Sequence, residues 1–439
     1  MSAHAFPPSP NLALDELVTR RRRAGQPLIH LGFGESRLPV PDFLADRLRT
    51  GAARNRYGQI GGESDCREAA AGYFTRRGLR THAEQVVMAP GSKPVLLALM
   101  AALPGAVVLP RPCWVTYEPQ ARLFAREVVG VSAPPQCGGV PDPDRLVPAL
   151  RAARRAGLRP RSLVLTMPDN PTGTHAPAAV VRRLAEIAED WDLLVISDEI
   201  YRDILHDPAD RVTSPAEYVP ERTVVTSGLS KSLALGGWRI GFARFPDTVD
   251  GLALQSRVIG LASEIWSSLA GPMQEVAGYA LSEPPELRRH LAASTRLHGA
   301  VAAAVHEVVA GTGAICRPPT GGFYVYPDLT PLRGRLAKLG IRDSQTLERH
   351  LLDRLGVAVL GGHHFGDDPA ALRFRAATSM LYGESDEEQW LALESTDPVA
   401  LPHIERLLDT LSDAFTSLTD HTARPAEKAR RSAALHTFC

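Results

Sequence analysis

Apolar residues along this chain follow two alternating rhythms. Between Tyr57 and Phe245, short runs rich in Val, Ile and Leu are separated by longer stretches of helical spacing. Unbroken apolar runs read as strands buried on both faces, the mark of a mainly parallel sheet covered by helices. The pattern predicts strands at Val86–Ala89, Val107–Leu109, Ser162–Thr166, Leu193–Ser197, Thr223–Thr226 and Ile240–Ala243. A helical region runs from Val249 to Ala310. A smaller α+β segment follows, with strands at Gly322–Tyr326, Val357–Leu360 and Leu372–Ala376 and a final helix from Pro402 to Leu418. Ahead of all this, Asn11–Ala24 reads as a short amphipathic helix ending in Arg20 to Arg23, where cations suit the helix dipole. Apolar periodicity is lost from His421 to Cys439, which predicts a frayed tail.

A chain of 439 residues is long for one ordinary domain, so two packed lobes are expected. Its 49 basic residues balance 49 acidic ones, which argues against a nucleic-acid or membrane-surface partner. The five cysteines (Cys66, Cys113, Cys137, Cys316, Cys439) are scattered without paired metal spacing, as expected of a reducing compartment and no structural zinc. The N-terminus MSAHAFPPSP lacks the basic and apolar regions of a signal peptide. The longest uncharged run, Pro94 to Pro110, is broken by Pro104-Gly105 and reads as a buried helix and strand. A soluble, cytoplasmic protein is expected.

In open parallel sheets, ligands bind outside the carboxyl ends of the strands. The predicted strand ends carry Gly91-Ser92, Trp114, Asn170, Asp198, Tyr201, Lys231 and Arg239. In TSGLSKSLALGGWRIGF, Lys231 follows a strand and Arg239 stands eight residues later. A lysine forms an imine with an aldehyde only when its amine loses a proton, which burial favours. An arginine nearby can clamp a phosphate through two hydrogen bonds. A solvated lysine and a surface ion pair are the plainer reading of those two residues alone.

Taken together, these motifs resemble the class I/II aminotransferase family of fold-type I pyridoxal-phosphate enzymes, over about Leu31 to Thr378. The resemblance implies an α/β fold. A large domain (51–290) would hold a mainly parallel seven-stranded sheet, and a smaller α+β domain would combine 1–50 with 291–420, leaving 421–439 as the tail. It implies pyridoxal 5′-phosphate held by Lys231 as a Schiff base, with Lys231 also moving the proton. Asp198 in VISDEIY would pair with the pyridine nitrogen. Tyr201 and Asn170 (in PDNPTG) would meet the phenolic oxygen. The phosphate would lie among Gly91, Ser92, Lys93, Ser230 and Arg239, and Trp114 would stack on the ring, with Tyr117 as runner-up. Arg373 in LRFRAATS matches the grip on the substrate α-carboxylate by its RxxxATS spacing, with Arg375 two residues on as the rival. Gly34 in LGFGES would close over the substrate. Tyr57 in RYGQIGG would reach the phosphate of a partner subunit, which implies a homodimer.

Plainer readings stand beside several of these. Asp198 could cap a helix, Asn170-Pro171-Thr172-Gly173 could be a simple turn, and Trp114 could be core. The resemblance implies transamination between amino and 2-oxo acids. β-Elimination, cyclisation and oxidation on the same cofactor remain open. A DNA-binding regulator is disfavoured by the short segment ahead of Leu31 and the lack of a basic patch.

Three features depart from the family pattern. Gly228 stands where many relatives have serine three residues before the lysine, with Ser227 one place earlier. In GGHHFG (361–366), glycine replaces the usual proline before a glycine, and His363 and His364 follow. Adjacent histidines on an extended chain point apart, so no metal site is expected there. One of them could instead approach the substrate side chain. Finally, the acidic stretch from Met380 to Pro402, with Trp390, is an insertion that either covers the site mouth or lengthens the small domain. Lys93 could offer its cation to an acidic substrate side chain or to the phosphate alone.

Overall fold

The computed structural model describes residues 8–419. The expected tail at 421–439 lies outside them. Seven strands form the central sheet: β1 Val86–Ala89, β2 Ala106–Arg111, β3 Val128–Ser132, β4 Pro160–Thr166, β5 Leu194–Asp198, β6 Thr223–Gly228 and β7 Gly241–Arg244. Their order is β1-β7-β6-β5-β4-β2-β3. Strands β2 to β6 run parallel, and β7 is antiparallel to both its neighbours. All six strands expected in this region are present. The pattern missed β3, an edge strand whose burial alternates and whose centre is glycine. Apolar clusters cover both faces, so the uninterrupted Val/Ile/Leu runs are explained by two-sided burial.

The chain passes from β3, on one side of β2, to β4 on the other. This reversal opens a crevice at the carboxyl ends of the strands, where a ligand can enter between loops that diverge. Helix α1 (Pro10–Arg23) lies over that crevice. Helix α2 (Ser92–Ala102) begins at the end of β1.

The smaller unit packs on helix α3 (Pro285–Ala310), which buries Leu297, Val301, Val305 and Val309. This stripe, four residues apart, meets Val325, Phe374 and Ala376 from strands β8 (Tyr324–Val325) and β10 (Phe374–Ala377). Strand β9 (Leu360–Gly361) completes that antiparallel sheet in the order β9-β10-β8. Helix α4 (Ser344–Leu355) is capped by Asp343, whose carboxylate accepts the Thr346 N–H at 2.7 Å. Ile29–His30 pairs in parallel with Val357–Ala358, so the N-terminal segment is stitched to the C-terminal part. Of the 380–402 insertion, Asp386–Glu394 forms helix α5. Its Ala392 and Leu393 enter the smaller unit's core, and Trp390 meets His290 edge-on at 6.5 Å. The insertion thus lengthens this unit. The final helix, α6, spans Pro402–Thr419. No described helix is long and apolar enough to cross a membrane.

One close approach ties the sheet to the crevice. A Cβ on Gly241 would lie 2.2 Å from the Gly91 carbonyl carbon and 2.4 Å from the Ser92 nitrogen, both backbone atoms at the start of α2. Gly241→Ala is therefore expected to cost about 1–3 kcal/mol by overpacking. Gly237→Ala, with nothing within 4 Å of its added Cβ, is expected to melt with the parent. Thermal unfolding followed by circular dichroism compares the three proteins, and equal melting of Gly241→Ala would refute the backbone clash.

Candidate active site

The crevice holds a cavity of about 420 Å³ whose walls come from β-strand ends, α1 and β8. Gly34, Ser92, Lys93, Trp114, Asn170, Asp198, Tyr201, Ser230, Lys231 and Arg239 all line it, as expected from their places after strands. Gly91 adjoins it at the start of α2.

Asp198 ends β5 at the cavity floor, 2% exposed. Its carboxylate accepts hydrogen bonds from Tyr117 Oη at 2.8 Å and Thr226 Oγ1 at 3.3 Å. Burial pushes its pKa up to about 6 while these donors pull it down, so it is mostly ionised at neutral pH. Tyr117, the runner-up for ring stacking, is fully buried and spends its hydroxyl on Asp198. Trp114 stands edge-on to it at 5.2 Å and reaches the cavity wall. Glu199, next to Asp198, pairs with Arg202 and accepts from the Ser197 hydroxyl. Its charge is met within the fold.

Lys231 lies in a four-residue helix just after β6, its ammonium donating to the Gly34 carbonyl oxygen. Burial lowers its pKa to about 8; Glu35 opposes this, while Arg375, Lys93 and Arg239 add to it. A substantial fraction of a neutral, nucleophilic amine is thus present near pH 7–8.

At the other end the surroundings are cationic. Gly91 has φ +94°, which frees the first N–H groups of α2 to face the cavity. A Cβ there would meet the Arg239 guanidinium at 2.2 Å and would be strained at this φ, so glycine suits the position. Arg239 Nη1 lies 3.4 Å from Ser230 Oγ, and burial lowers the pKa of neighbouring Lys93 with Arg239 adding to it. Helix N-terminus, hydroxyl and two cations together form a cradle for a phosphate-sized anion. Ser227 does not replace the donor missing at Gly228, because its hydroxyl turns to the Glu199 carbonyl oxygen at 3.4 Å.

The third corner corrects the sequence reading. Arg373 does not line the cavity. Its Nε donates to Asp328 at 2.9 Å and its Nη1 to Asp367 at 3.1 Å. Arg375 lines the cavity instead, fully buried. Its fork donates to Asn170 Oδ1 at 3.1 Å, Asn11 Oδ1 at 3.0 Å and the Gly32 carbonyl oxygen. Each of these acceptors is neutral, and among the described residues its Nε has no partner. The rings of Tyr324 and Phe365 lie 4.9 and 5.1 Å from the guanidinium carbon. The RxxxATS spacing pointed to the arginine outside the cavity because it does not register side-chain partners: Asp328, 45 residues away, and Asp367, six residues away, both engage Arg373.

Asn170 is oriented by the same contact. A guanidinium only donates, so Oδ1 must accept, and Nδ2 is left to face Tyr201 Oη at 3.4 Å. Asp169 holds this loop through Thr172, whose N–H and hydroxyl donate to it at 3.1 and 2.7 Å. Gly173, at φ +68°, lets the loop touch the Tyr324 backbone. Sequence reasoning missed Asn11 and Tyr324, the latter hydrogen-bonded to Tyr201 Oη at 2.7 Å. The run GGFYVY (321–326) and the polar start of the first helix were the available signals.

Tyr57 lies apart. It is 91% exposed and lines a separate cavity of about 370 Å³ with Arg54, Arg56, Glu63 and Gln274. His363 and His364 also lie outside the central cavity. They sit in a 3-10 turn, Gly362–Phe365, with ring centroids 3.9 Å apart. The expectation that they point apart rested on an extended chain and is corrected by that turn.

A buried amine, an opposing carboxylate and an anion cradle in one cavity fit pyridoxal 5′-phosphate. The family model for aminotransferase class I and II matches residues 26–381. An aspartate/prephenate aminotransferase of Thermus thermophilus is 30% identical over 371 residues, spanning 82% of this chain and 90% of that protein. The aspartate/prephenate aminotransferase of Cereibacter sphaeroides is 31% identical over 378 residues, again spanning 82% and 90%. A solved aspartate aminotransferase from Thermus thermophilus with maleate superimposes with a TM-score of 0.79 at 27% identity, over 93% of this chain and 97% of that one. The chain belongs to the class I and II aminotransferases and is a pyridoxal-phosphate-dependent enzyme that moves an amino group between amino acids and 2-oxo acids.

Proposed function

We propose that Lys231, Asp198, Asn170, Tyr201 and Arg375 carry the transamination, with Arg375 in the role the sequence pattern gave to Arg373. The observation behind this is the Arg375 guanidinium, fully buried beside neutral acceptors only. A buried cation without an acid is unfavourable unless an anion arrives. The substrate α-carboxylate is that anion, and a planar fork holds it in one orientation. Arg373, already paired with two aspartates, has no such vacancy.

Pyridoxal 5′-phosphate supplies, when bound, a conjugated ring that takes up the electron pair left as the Cα proton departs. Lys231 would form the covalent link and hold that proton. Asp198 would keep the ring nitrogen protonated. Asn170 Nδ2 and Tyr201 would offer hydrogen bonds to the phenolic oxygen, and Trp114 would lie against the ring. Backbone N–H groups at Gly91, Ser92 and Lys93 would hold the phosphate with Ser230 and Arg239, and Gly34 lets the N-terminal segment close over Lys231.

The substrate reading is an amino acid with an acidic side chain. The curated relatives are named for aspartate and prephenate. We place the enzyme in the cytoplasm as a homodimer, divided into 51–290 and a unit formed by 1–50 with 291–420. Tyr57 of the partner subunit then completes each phosphate site. Its ring, open to solvent in one chain, supports this.

The lysine assignment has a pH signature. Only the neutral amine attacks the aldehyde, so capture of pyridoxal 5′-phosphate by the apoenzyme should quicken as pH rises through about 8 and then level off. Borohydride reduction and peptide mapping place the pyridoxyl group on Lys231. A rise that continues to pH 10, or a label elsewhere, refutes the assignment.

The two arginines are separated by their lysine variants. Arg375→Lys should raise KM for every amino acid at least ~10-fold, since one charge-assisted hydrogen bond is worth about 1.5–3 kcal/mol. Arg373→Lys should leave KM within about twofold. Steady-state kinetics on an acidic and a neutral amino acid decides, and the reverse pattern restores Arg373.

Cross-subunit action is tested by mixing. Lys231→Ala and a disabling Tyr57 variant are each poorly active alone. In the hybrid, one site collects both defects and the other has none, so co-refolding should restore activity above either parent. If Tyr57 serves its own chain, mixing rescues nothing.

A further inference from the structure

Away from the cofactor cavity, the turn Gly362–Phe365 faces helix α4. Glu348, His363 and His364 converge there, each offering one ligand atom within 4.8 Å of the other two. Glu348 Oε2 is 3.1 Å from His364 Nε2 and 3.9 Å from His363 Nε2. The three side chains are 20–26% exposed, so the cluster is reachable from solvent.

The contacts around the cluster allow His363 a tautomer that turns a lone pair inward. Ser344 Oγ lies 3.4 Å from the Pro369 carbonyl oxygen, which can only accept. With the Ser344 proton directed there and the His363 proton on Nδ1, Ser344 accepts the backbone N–H of His363 at 3.2 Å and the Nδ1–H of the same residue at 2.8 Å. That tautomer leaves His363 Nε2 with a lone pair directed at the Glu348 carboxylate. At 3.9 Å, the two electron-rich atoms share no proton. Among the described residues, the two histidines are the only ion-pair partners of Glu348, so no lysine or arginine occupies the position a metal ion would take. An outer hydrogen bond that orients a metal-binding histidine is the usual support of such a site, and Ser344 provides one.

We propose that Glu348, His363 and His364 form a site for a divalent transition metal of the zinc class. Two imidazoles and one carboxylate suit a borderline cation, and the open side leaves water as a fourth ligand. Bound there, the ion clips α4 to the turn that carries Phe365. That residue packs 5.1 Å from the Arg375 guanidinium carbon, and its carbonyl oxygen accepts the Cys113 N–H at 3.0 Å. The clip therefore stiffens a buttress of the substrate site without touching the cavity.

The test uses the full-length holoenzyme, stripped with chelator, dialysed and titrated with zinc sulfate by calorimetry. The comparison is with His364→Gln and Glu348→Gln. Bound-cofactor absorbance and far-ultraviolet circular dichroism verify that each variant is folded, and a variant that fails this check is replaced by His363→Gln. The parent should take up about one tight zinc per chain and melt at a higher temperature with zinc than without. Each variant should bind that equivalent at least ~10-fold more weakly and lose the zinc-dependent rise in melting temperature. Absence of the tight step in the parent, or an equal step in the folded variants, overturns the proposal.

Discussion

A guanidinium buried without a counter-ion organises this molecule. Arg375 is reached by Asn11 from the first helix, Gly32 from the N-terminal segment, Asn170 from the loop after β4 and two aromatic rings. Segments from both ends of the chain and from the central sheet thus share one cation. Neutral oxygens satisfy its N–H groups but leave its charge uncompensated, so the cavity favours anions before any substrate is present. The contact also reaches the cofactor side of the cavity: by accepting from Arg375, Asn170 is forced to present its amide donors to Tyr201.

The rest of the cavity is a charge gradient laid across strand ends. Asp198 closes the floor as a carboxylate held by two hydroxyls. The start of α2, Lys93 and Arg239 make the opposite end positive. Lys231 lies between them, and burial, helped by the neighbouring cations, lowers its pKa to about 8. A phosphorylated pyridinium aldehyde would find its ring nitrogen opposite Asp198, its phosphate at the positive end and its aldehyde near Lys231. The reversal of strand order between β2 and β4 supplies the opening, and the tight packing of Gly241 on Gly91 sets where the helix dipole points.

Much of this was legible because it is local. Runs buried on both faces announce six of the seven strands, and polar groups just past their ends announce the cavity. What stayed hidden depends on partners far along the chain. Strand β3 is half exposed with glycine at its centre, so it lacks the unbroken apolar run of its neighbours. Arg373 and Arg375 share one face of an extended segment, about 6–7 Å apart along it. Asp328, 45 residues away, and Asp367, folded back from six residues before, engage the first and hold it outside the cavity. The reach of Asn11 across the cavity is equally non-local. Tyr57 is a different case: its role, if it acts in trans, has no contact within one chain to reveal it.

The GGHHFG segment shows how a departure from a family pattern acquires physical meaning. Gly361 has φ −62° and ψ 148°, a conformation proline would adopt without strain. Backbone freedom is therefore not what this position requires. Its N–H donates to Glu348 Oε2 at 2.8 Å, a bond that proline cannot make. A Cβ there would also lie 2.6 Å from the same oxygen and 2.7 Å from His363 Nδ1. Glycine at this position thus gives Glu348 a donor and room to approach the turn. The following histidines are then held against that carboxylate by a 3-10 turn rather than splayed along a strand. Glycine, glutamate and the histidine pair depend on one another for this geometry, and no one of them achieves it alone.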